Sequence, residues 1–329
     1  MKKLKEGIIG YGVGEKHALG YKSTSKCRII IFDKDKKKKK KILEDGFEFA
    51  EDESEFFKNK FDIISIASYD KFHFNHILKS TNSTNTILCE KPICNNIKQL
   101  KKINKLIKSK KIKLTCNFVL RTVDLFKDLK KKIKSNFFGD IFYMEGSYLW
   151  SRINKLSGWR ANDKDYSFIK GASIHMIDLL CWLIGSNPTH VYACGNRLGQ
   201  KTYTKKNSMV SLSLEFKNNL YIKINAFGPS VYPHYHEIKI FGSKATSINE
   251  YKNNFFIKKK NKHIKIKNFK NYPDHLSKKN IIKNLVNSHN KKKIGFDNQV
   301  FSIMNICFAA EKSLKLKKRV KINYLSKIN

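Results

Sequence analysis

The sequence predicts a mixed α/β chain. A parallel sheet covered on both faces comes first, and an α+β region with a mostly antiparallel sheet follows. Three observations carry this. The first third alternates short, continuously apolar runs with lysine-rich amphipathic stretches, the pattern of strands buried on both faces with helices between them. Beyond about residue 120 the apolar runs lengthen and alternate with polar residues, which suits strands with one wetted face. A glycine cluster separates the first apolar run from its helix.

In order, GIIG (7–10) reads as a buried strand and Glu15 to Lys22 as its helix. CRIIIFD (27–33), FDIISIAS (61–68), TILCEKP (86–92, strand with its loop) and IKLTCNF (112–118) are further strands. Between them lie helices at Lys34–Glu44, Phe72–Lys79 and Ile97–Lys108. Leu125–Asn136 is then helical, 141–150 a longer strand, and Ile174–Leu183 an apolar helix. VYACGNRL (191–198), MVSLSLEF (209–216), NLYIKINAFG (219–228) and HEIKIFGSKATSI (236–248) read as successive antiparallel strands, and Asn298–Lys315 closes the chain as an amphipathic helix. A chain of 329 residues suits two domains. The expected division is 1–119 and 120–329, with the closing helix 298–315 able to pack back on the first domain. No internal repeat is present.

Composition restricts the function classes. With 41% apolar and 12% aromatic residues the chain can bury real cores. No apolar run approaches the roughly 18–20 residues of a membrane span, and MKKLKEGIIG lacks the apolar core of a signal peptide. The expected location is the cytoplasm. Seven scattered cysteines without a C-x-x-C pair read as reduced core thiols. The net charge of +40 invites a nucleic-acid reading, yet only six of the 67 basic residues are arginine, leaving 61 lysines spread nearly everywhere. A joint excess of lysine, asparagine and isoleucine is what A/T-rich coding produces. The runs Lys36–Lys41 and Lys258–Lys262 read as solvated faces. The expectation is no nucleic-acid and no membrane partner.

Three segments could carry chemistry. Gly10-Tyr11-Gly12-Val13-Gly14 stands at the first strand–helix turn, where glycines let a backbone approach a pyrophosphate seated on a helix N-terminus. A plain tight turn would look the same. The spacing is G-x-G-x-G, with Glu15 at the usual third position. Asp33 ends the second strand 23 positions after Gly10, close to the offset at which a carboxylate bonds the adenosine ribose. It favours NAD over NADP, while Lys34 beside it keeps NADP open. Second, Glu90-Lys91-Pro92 follows a buried strand, on the edge where open parallel sheets bind ligands. Lys91 could orient a substrate hydroxyl, or be one more solvated lysine. Third, Gly171-Ala172-Ser173-Ile174-His175-Met176-Ile177-Asp178 leads into the apolar helix with His175 and Asp178 on one face. A histidine there can take an alcohol proton as hydride leaves, or simply be buried beside Asp178.

Together with SIASYDKFH (65–73) and the closing AAEKSLKLKKRVKI (309–322), these segments resemble the Gfo/Idh/MocA oxidoreductase family over nearly the whole chain. The resemblance implies a Rossmann domain, an α/β domain with a large open sheet used for dimer or tetramer contacts, and a homodimer or homotetramer. It matches Lys91 to the family's lysine and His175 to its catalytic histidine. It also places Ser68, His73, Glu90 and Lys91 itself on the cofactor side. The implied activity is NAD-dependent hydride transfer from a hydroxyl of a sugar, nucleotide-sugar or cyclitol. The small residues before His175 resemble a branch associated with surface-sugar pathways. One departure stands out: the family commonly has an aspartate four residues before the histidine, and here that position is Gly171. A shorter relay with Asp178 orienting His175, a different reaction, or a catalytically silent NAD- or sugar-binding sensor are its possible meanings.

Arg160 of GWR (158–160) and Tyr166 are candidates for substrate contacts, as are Arg121 and Asp178; the two arginines could equally form structural ion pairs. His17 suits helix packing. His234 and His236 form an H-x-H pair without an accompanying carboxylate cluster, so no metal site is expected.

Overall fold

Six strands in the N-terminal part lie side by side, all in parallel: β1 Leu4–Ile9, β2 Cys27–Phe32, β3 Glu48–Phe49, β4 Ile63–Ile66, β5 Thr86–Cys89 and β6 Lys113–Cys116. The computed structural model describes residues 4–24, 27–199, 206–258, 262–265, 277–290 and 299–325. Its chain divides into two compact units, Met1–Val119 with Asp274–Phe301 and Leu120–Pro273 with Ser302–Asn329.

In the first unit the strand order is β3-β2-β1-β4-β5-β6. Helices α1 Gly14–Lys22, α2 Lys39–Glu44, α3 Glu53–Lys58, α4 Asp70–Ser80 and α5 Ile97–Ser109 connect the strands. Ile8, Ile31, Ile63, Ile64, Ile66, Ile87 and Leu88 are fully buried, as strands covered on both faces require. Helix α5 shows how the lysines are accommodated. Leu100, Ile103, Asn104 and Ile107 face inward, and Asn96 caps its first turn by accepting from Gln99 N. Because the strands are parallel, the loops after β1, β2, β4 and β5 emerge at one edge. The strand order turns back between β1 and β4 at that edge, the position where such sheets bind ligands.

The second unit carries α6 Asp124–Lys134, β7 Ile141–Leu149, the short α7 Trp159–Asn162 and α8 Ile174–Ile184. Strands β8 His190–Asn196, β9 Met209–Glu215, β10 Tyr221–Phe227, β11 Tyr235–Gly242, β12 Ala245–Glu250, β13 Asn253–Lys258 and β14 Lys262–Lys265 follow. After α9 Ser277–Asn290 and α10 Gln299–Leu316 comes β15 Val320–Lys321. Among the described residues the sheet has nine strands in the order β14-β13-β12-β11-β7-β10-β9-β8-β15. Helix α8 lies against its centre: a Cβ on Gly146 would stand 2.6 Å from Met176 Cε and 2.8 Å from Leu180 Cδ1. Helix α9 belongs to the first unit, where Ile282 Cδ1 comes within 2.8 Å of the Cβ position of Gly20 on α1.

Two readings of the sequence are corrected. Residues 236–248 are not one strand but β11 and β12, folded at Ser243-Lys244. Gly242-Ser243-Lys244 breaks the alternation, and the buried positions move from even numbers (238, 240) to odd ones (245, 247) across it. Nor are the strands simply successive: β7 inserts between β10 and β11 and runs parallel to β10. Neither β3, α3, β13, β14, α9 nor β15 was expected. The middle of the Lys258–Lys262 run lies outside the described residues, whereas the lysines of 36–41 lie at the surface, several bound to Glu15, Asp33, Glu44, Asp45 and Glu51. All seven cysteines are free, five of them buried.

One core group is out of place for an apolar sheet. Glu6 on β1 is fully buried, and neither carboxylate oxygen has a hydrogen-bond partner. Burial pushes its pKa up to about 8, against a smaller opposing effect of the Cys27 thiol. Between about pH 4.5 and about 8 the folded chain therefore holds a proton that the unfolded chain releases. For this group stability is fully present below about pH 4.5 and is lost as pH rises through about 8. Glu6→Gln is expected to remove a pH-dependent loss on the order of a few kcal/mol, read as urea midpoints at about pH 6 and about pH 9. Equal pH slopes for both proteins would refute this.

Candidate functional site

The glycine turn is shaped for close approach. Gly10 has φ +93°, and a Cβ there would meet Ala67 O at 2.7 Å. A Cβ on Gly14 would stand 2.9 Å from Ile8 Cγ2, so this glycine lets α1 sit tightly on β1. Nothing lies within 4 Å of the Cβ position of Gly12, so its backbone faces open space beside the helix N-terminus. Val13 is partly exposed there. The three glycines thus divide the work of turn, approach and packing that the dinucleotide fingerprint assigns to G-x-G-x-x-G. The third job falls on Gly14 rather than on position 15, and Glu15 turns outward to Lys41.

Asp33 closes the turn. Its Oδ2 accepts from Tyr11 N at 2.6 Å and from Lys38 Nζ at 2.7 Å, and its Oδ1 from Asp35 N at 2.8 Å. One carboxylate acceptor position is left for a ribose hydroxyl. Gly10, Gly12, Val13, Gly14 and Asp33 therefore fit a dinucleotide's pyrophosphate and ribose. The lysine that reaches Asp33 is Lys38; Lys34 lies over the Phe72 ring instead.

The loops after β4 and β5 are tied together by histidines. His73 is fully buried, with Nδ1 2.7 Å from Pro92 O and Nε2 2.9 Å from Ser68 O. It braces the loop that carries Lys91, whose bond to Pro92 is cis. Ser68 Oγ contacts His76 Nδ1 at 2.8 Å, and burial holds His76 down to about pKa 4, partly opposed by Glu53. Glu90 Oε1 receives both His17 Nε2 at 3.1 Å and Asn117 Nδ2 at 2.5 Å. With Nε2–H donated to Glu90, the buried Nδ1 of His17 has no partner. His17 thus links α1 to the residue before Lys91, a role that helix packing alone did not suggest. The only advance signal was a polar group on the inward face of α1.

In the second unit a π-helical turn, Ile169–Ser173, opens into α8 just ahead of His175; such wide turns are frequent at functional sites. His175 is half-buried, edge-on to Tyr148 at 5.7 Å and to His236 at 6.4 Å. Tyr148 stacks on His236 at 4.1 Å and meets His234 at 5.3 Å. His236 sits well below the ordinary histidine pKa because it is buried, with His234 and Arg152 adding to the effect. It stays neutral around His175. His234 Nδ1 lies 3.0 Å from Trp150 O. The sequence treated His234 and His236 as a strand pair; pairing of β11 with β7 sets His236 opposite Tyr148 and makes both part of the surroundings of His175. Among the described residues no group of three histidine, cysteine or acidic side chains could hold a metal ion.

Asp178 is 1% exposed, and its carboxylate is gripped by the Arg121 guanidinium through Nε at 3.0 and 3.2 Å and through Nη2. These two proposed substrate contacts are engaged with each other. Tyr166 is buried against Gly171, where an added Cβ would stand 2.7 Å from its Cζ and closer still to its Oη. The phenol fills the place a side chain at 171 would need. Arg160 lies 4.3 Å over Trp159, whose ring meets Tyr166 edge-on at 6.1 Å. Lys91 belongs to the first unit and His175 to the second.

Comparison with known proteins agrees with this layout. Residues 4–118 match the oxidoreductase family model with an NAD-binding Rossmann fold, and residues 126–248 match the GFO/IDH/MocA C-terminal domain. The fold is similar to myo-inositol 2-dehydrogenase from Lactobacillus plantarum, with a TM-score of 0.82 and 18% identity over 98% of this chain and 100% of that one. It is also similar to levoglucosan dehydrogenase in complex with NADH and L-sorbose, with a TM-score of 0.86 and 17% identity over 99% and 100%. In sequence the chain is similar to YteT of Bacillus subtilis (strain 168), named as a candidate oxidoreductase, with 25% identity over 141 residues. That match covers 42% of this chain and 33% of the relative, so the chain spans about a third of the curated relative's length. With a glycine cradle on a parallel six-stranded sheet and both family models matched in sequence, the chain belongs to the GFO/IDH/MocA oxidoreductase family, and its first domain is the family's NAD-binding Rossmann fold.

Proposed function

We propose that this protein transfers hydride between a hydroxyl-bearing carbon of a sugar, nucleotide-sugar or cyclitol and NAD. The observation that carries the reading is the open backbone face at Gly12 beside Asp33 and the helix N-terminus. It accompanies the half-buried His175, which a neutral His236 and Tyr148 surround. Bound NAD supplies the hydride acceptor. Gly10, Gly12, Val13, Gly14 and Asp33 hold it, and Ser68, His73 and Glu90 shape the loops beside it. His175 takes the hydroxyl proton, and the ammonium of Lys91 steadies negative charge on the reacting oxygen. The unit of residues 1–119 with 274–301 is the cofactor part, and that of 120–273 with 302–329 binds substrate and self-associates as a homodimer or homotetramer. The sheet face turned away from α8 supports the last point, since Tyr143 and Phe241 lie 5.9 Å apart there and Tyr221 beside them is 51% exposed. The seven free cysteines are in keeping with a cytoplasmic location; among the described residues no helix is long and apolar enough to cross a membrane. Solved relatives named for levoglucosan and inositol support the sugar-type substrate.

A second reading, a silent NAD- and sugar-binding sensor, is favoured by one feature: Tyr166 in the space beside Gly171. One experiment separates the two. Mass spectrometry of the purified protein detects a co-purifying dinucleotide, and nicotinamide absorbance follows addition of a sugar and cyclitol panel. Reduction with any member supports the dehydrogenase; binding without reduction supports the sensor.

A further inference from the structure

Arginine is scarce in this chain, and half of the six have a carboxylate. Arg28 holds Glu48, Arg121 holds Asp178 and Arg319 holds Glu215, while Arg197 is exposed. Arg152 and Arg160 differ: both are half-buried, and neither meets a carboxylate among the described residues. This is so although Asp163 and Asp165 follow closely in the chain. The Arg152 guanidinium makes no hydrogen bond there, and Arg160 reaches only Lys155 O, at 3.4 Å. A half-buried cation without a counter-ion loses hydration that a long carbonyl contact or an aromatic face repays only in part, unless an anion arrives.

Each arginine is linked through neighbours to the surroundings of His175. Arg152 follows β7 four residues after Tyr148, and its charge is felt at His236, the ring stacked on Tyr148 beside His175. Arg160 lies over Trp159, which meets Tyr166, which fills the space at Gly171 one helical turn before His175. A guanidinium held over an aromatic ring keeps edge donors for a planar, two-point grip on an anion.

We propose that the His175 site takes an anionic sugar, bearing a carboxylate or a phosphoryl group, and that Arg152 and Arg160 hold that group. This rests on the dehydrogenase reading for its chemistry and narrows its substrate, setting aside neutral sugars and cyclitols. The rival is generic attraction by a chain of charge +40, which loss of a single charge hardly alters.

Calorimetric titration of the NAD-loaded protein at physiological salt uses glucose, glucuronate, glucose 6-phosphate and UDP-glucose as probes. At least one charged probe is expected to bind about tenfold or more tighter than glucose. Arg152→Gln and Arg160→Gln should each remove most of that preference, Arg160→Lys should restore only part, and Arg28→Gln, in the first unit, should leave it intact. Preference for glucuronate assigns a carboxylate, and preference for the other two a phosphoryl group. Equal or undetectable binding of the charged probes, or a preference that survives both glutamine variants, overturns the proposal. Nicotinamide absorbance is followed separately. Arginine-dependent binding without redox change refutes the dehydrogenase reading and keeps this one, whereas equal kcat/KM for neutral and charged sugars does the reverse.

Discussion

His175→Ala and Lys91→Ala are each expected to lower turnover by about 10²–10⁴-fold while NAD binding stays unchanged. The reason lies in where the two side chains stand. Neither takes part in the cradle of Gly10, Gly12, Gly14 and Asp33, whose contacts are to backbone and to Lys38. His175 opens an apolar helix whose next turns are fully buried, so removing its ring leaves the packing of Met176, Leu179 and Leu180 in place. The neutral His236 beside it adds no competing positive charge. Stopped-flow absorbance gives turnover and fluorescence titration gives NAD affinity. Unchanged turnover in both variants would sink the assignment. A parallel loss of NAD affinity would show that these side chains serve cofactor binding instead.

Arg121→Ala is expected to destabilise the protein by about 3–5 kcal/mol, because it removes the guanidinium from a carboxylate that is 1% exposed. That corresponds to a fall in Tm of roughly 6–20 °C for a domain of this size. Arg121→Leu combined with Asp178→Leu should recover most of it, since a buried pair replaced by apolar groups costs little. Thermal melts decide between this and the reading of Arg121 as a substrate contact. An unaltered Tm with a raised KM would assign the arginine to substrate.

The residues that proved legible in the sequence are those whose role is local. The glycine turn, Asp33 at the end of β2 and the continuous apolar runs of β1, β2, β4 and β5 each announce themselves within a few positions. Even the irregular spacing was a local matter: Gly14 meets Ile8 and takes over the packing role that the fingerprint gives to the next position. The turn at Ser243-Lys244 shows only as a short polar break and a change of phase from Ile240 to Ala245. His17, paired with Glu90 across 73 positions, left no such trace.

The sequence by itself determined the order of a parallel and then a mostly antiparallel sheet, the cofactor turn and the identity of Lys91 and His175 as the residues to test. Apolar period and glycine placement act over a single element, so they can be read from one stretch of chain. Only the tertiary structure decided what surrounds His175. Inserting β7 beside β11 sets Tyr148 against His236, the bend before α8 seats Tyr166 on Gly171, and Arg121 claims Asp178 from 57 residues away. Those neighbours depend on sheet register and side-chain packing between distant segments, which no local pattern specifies.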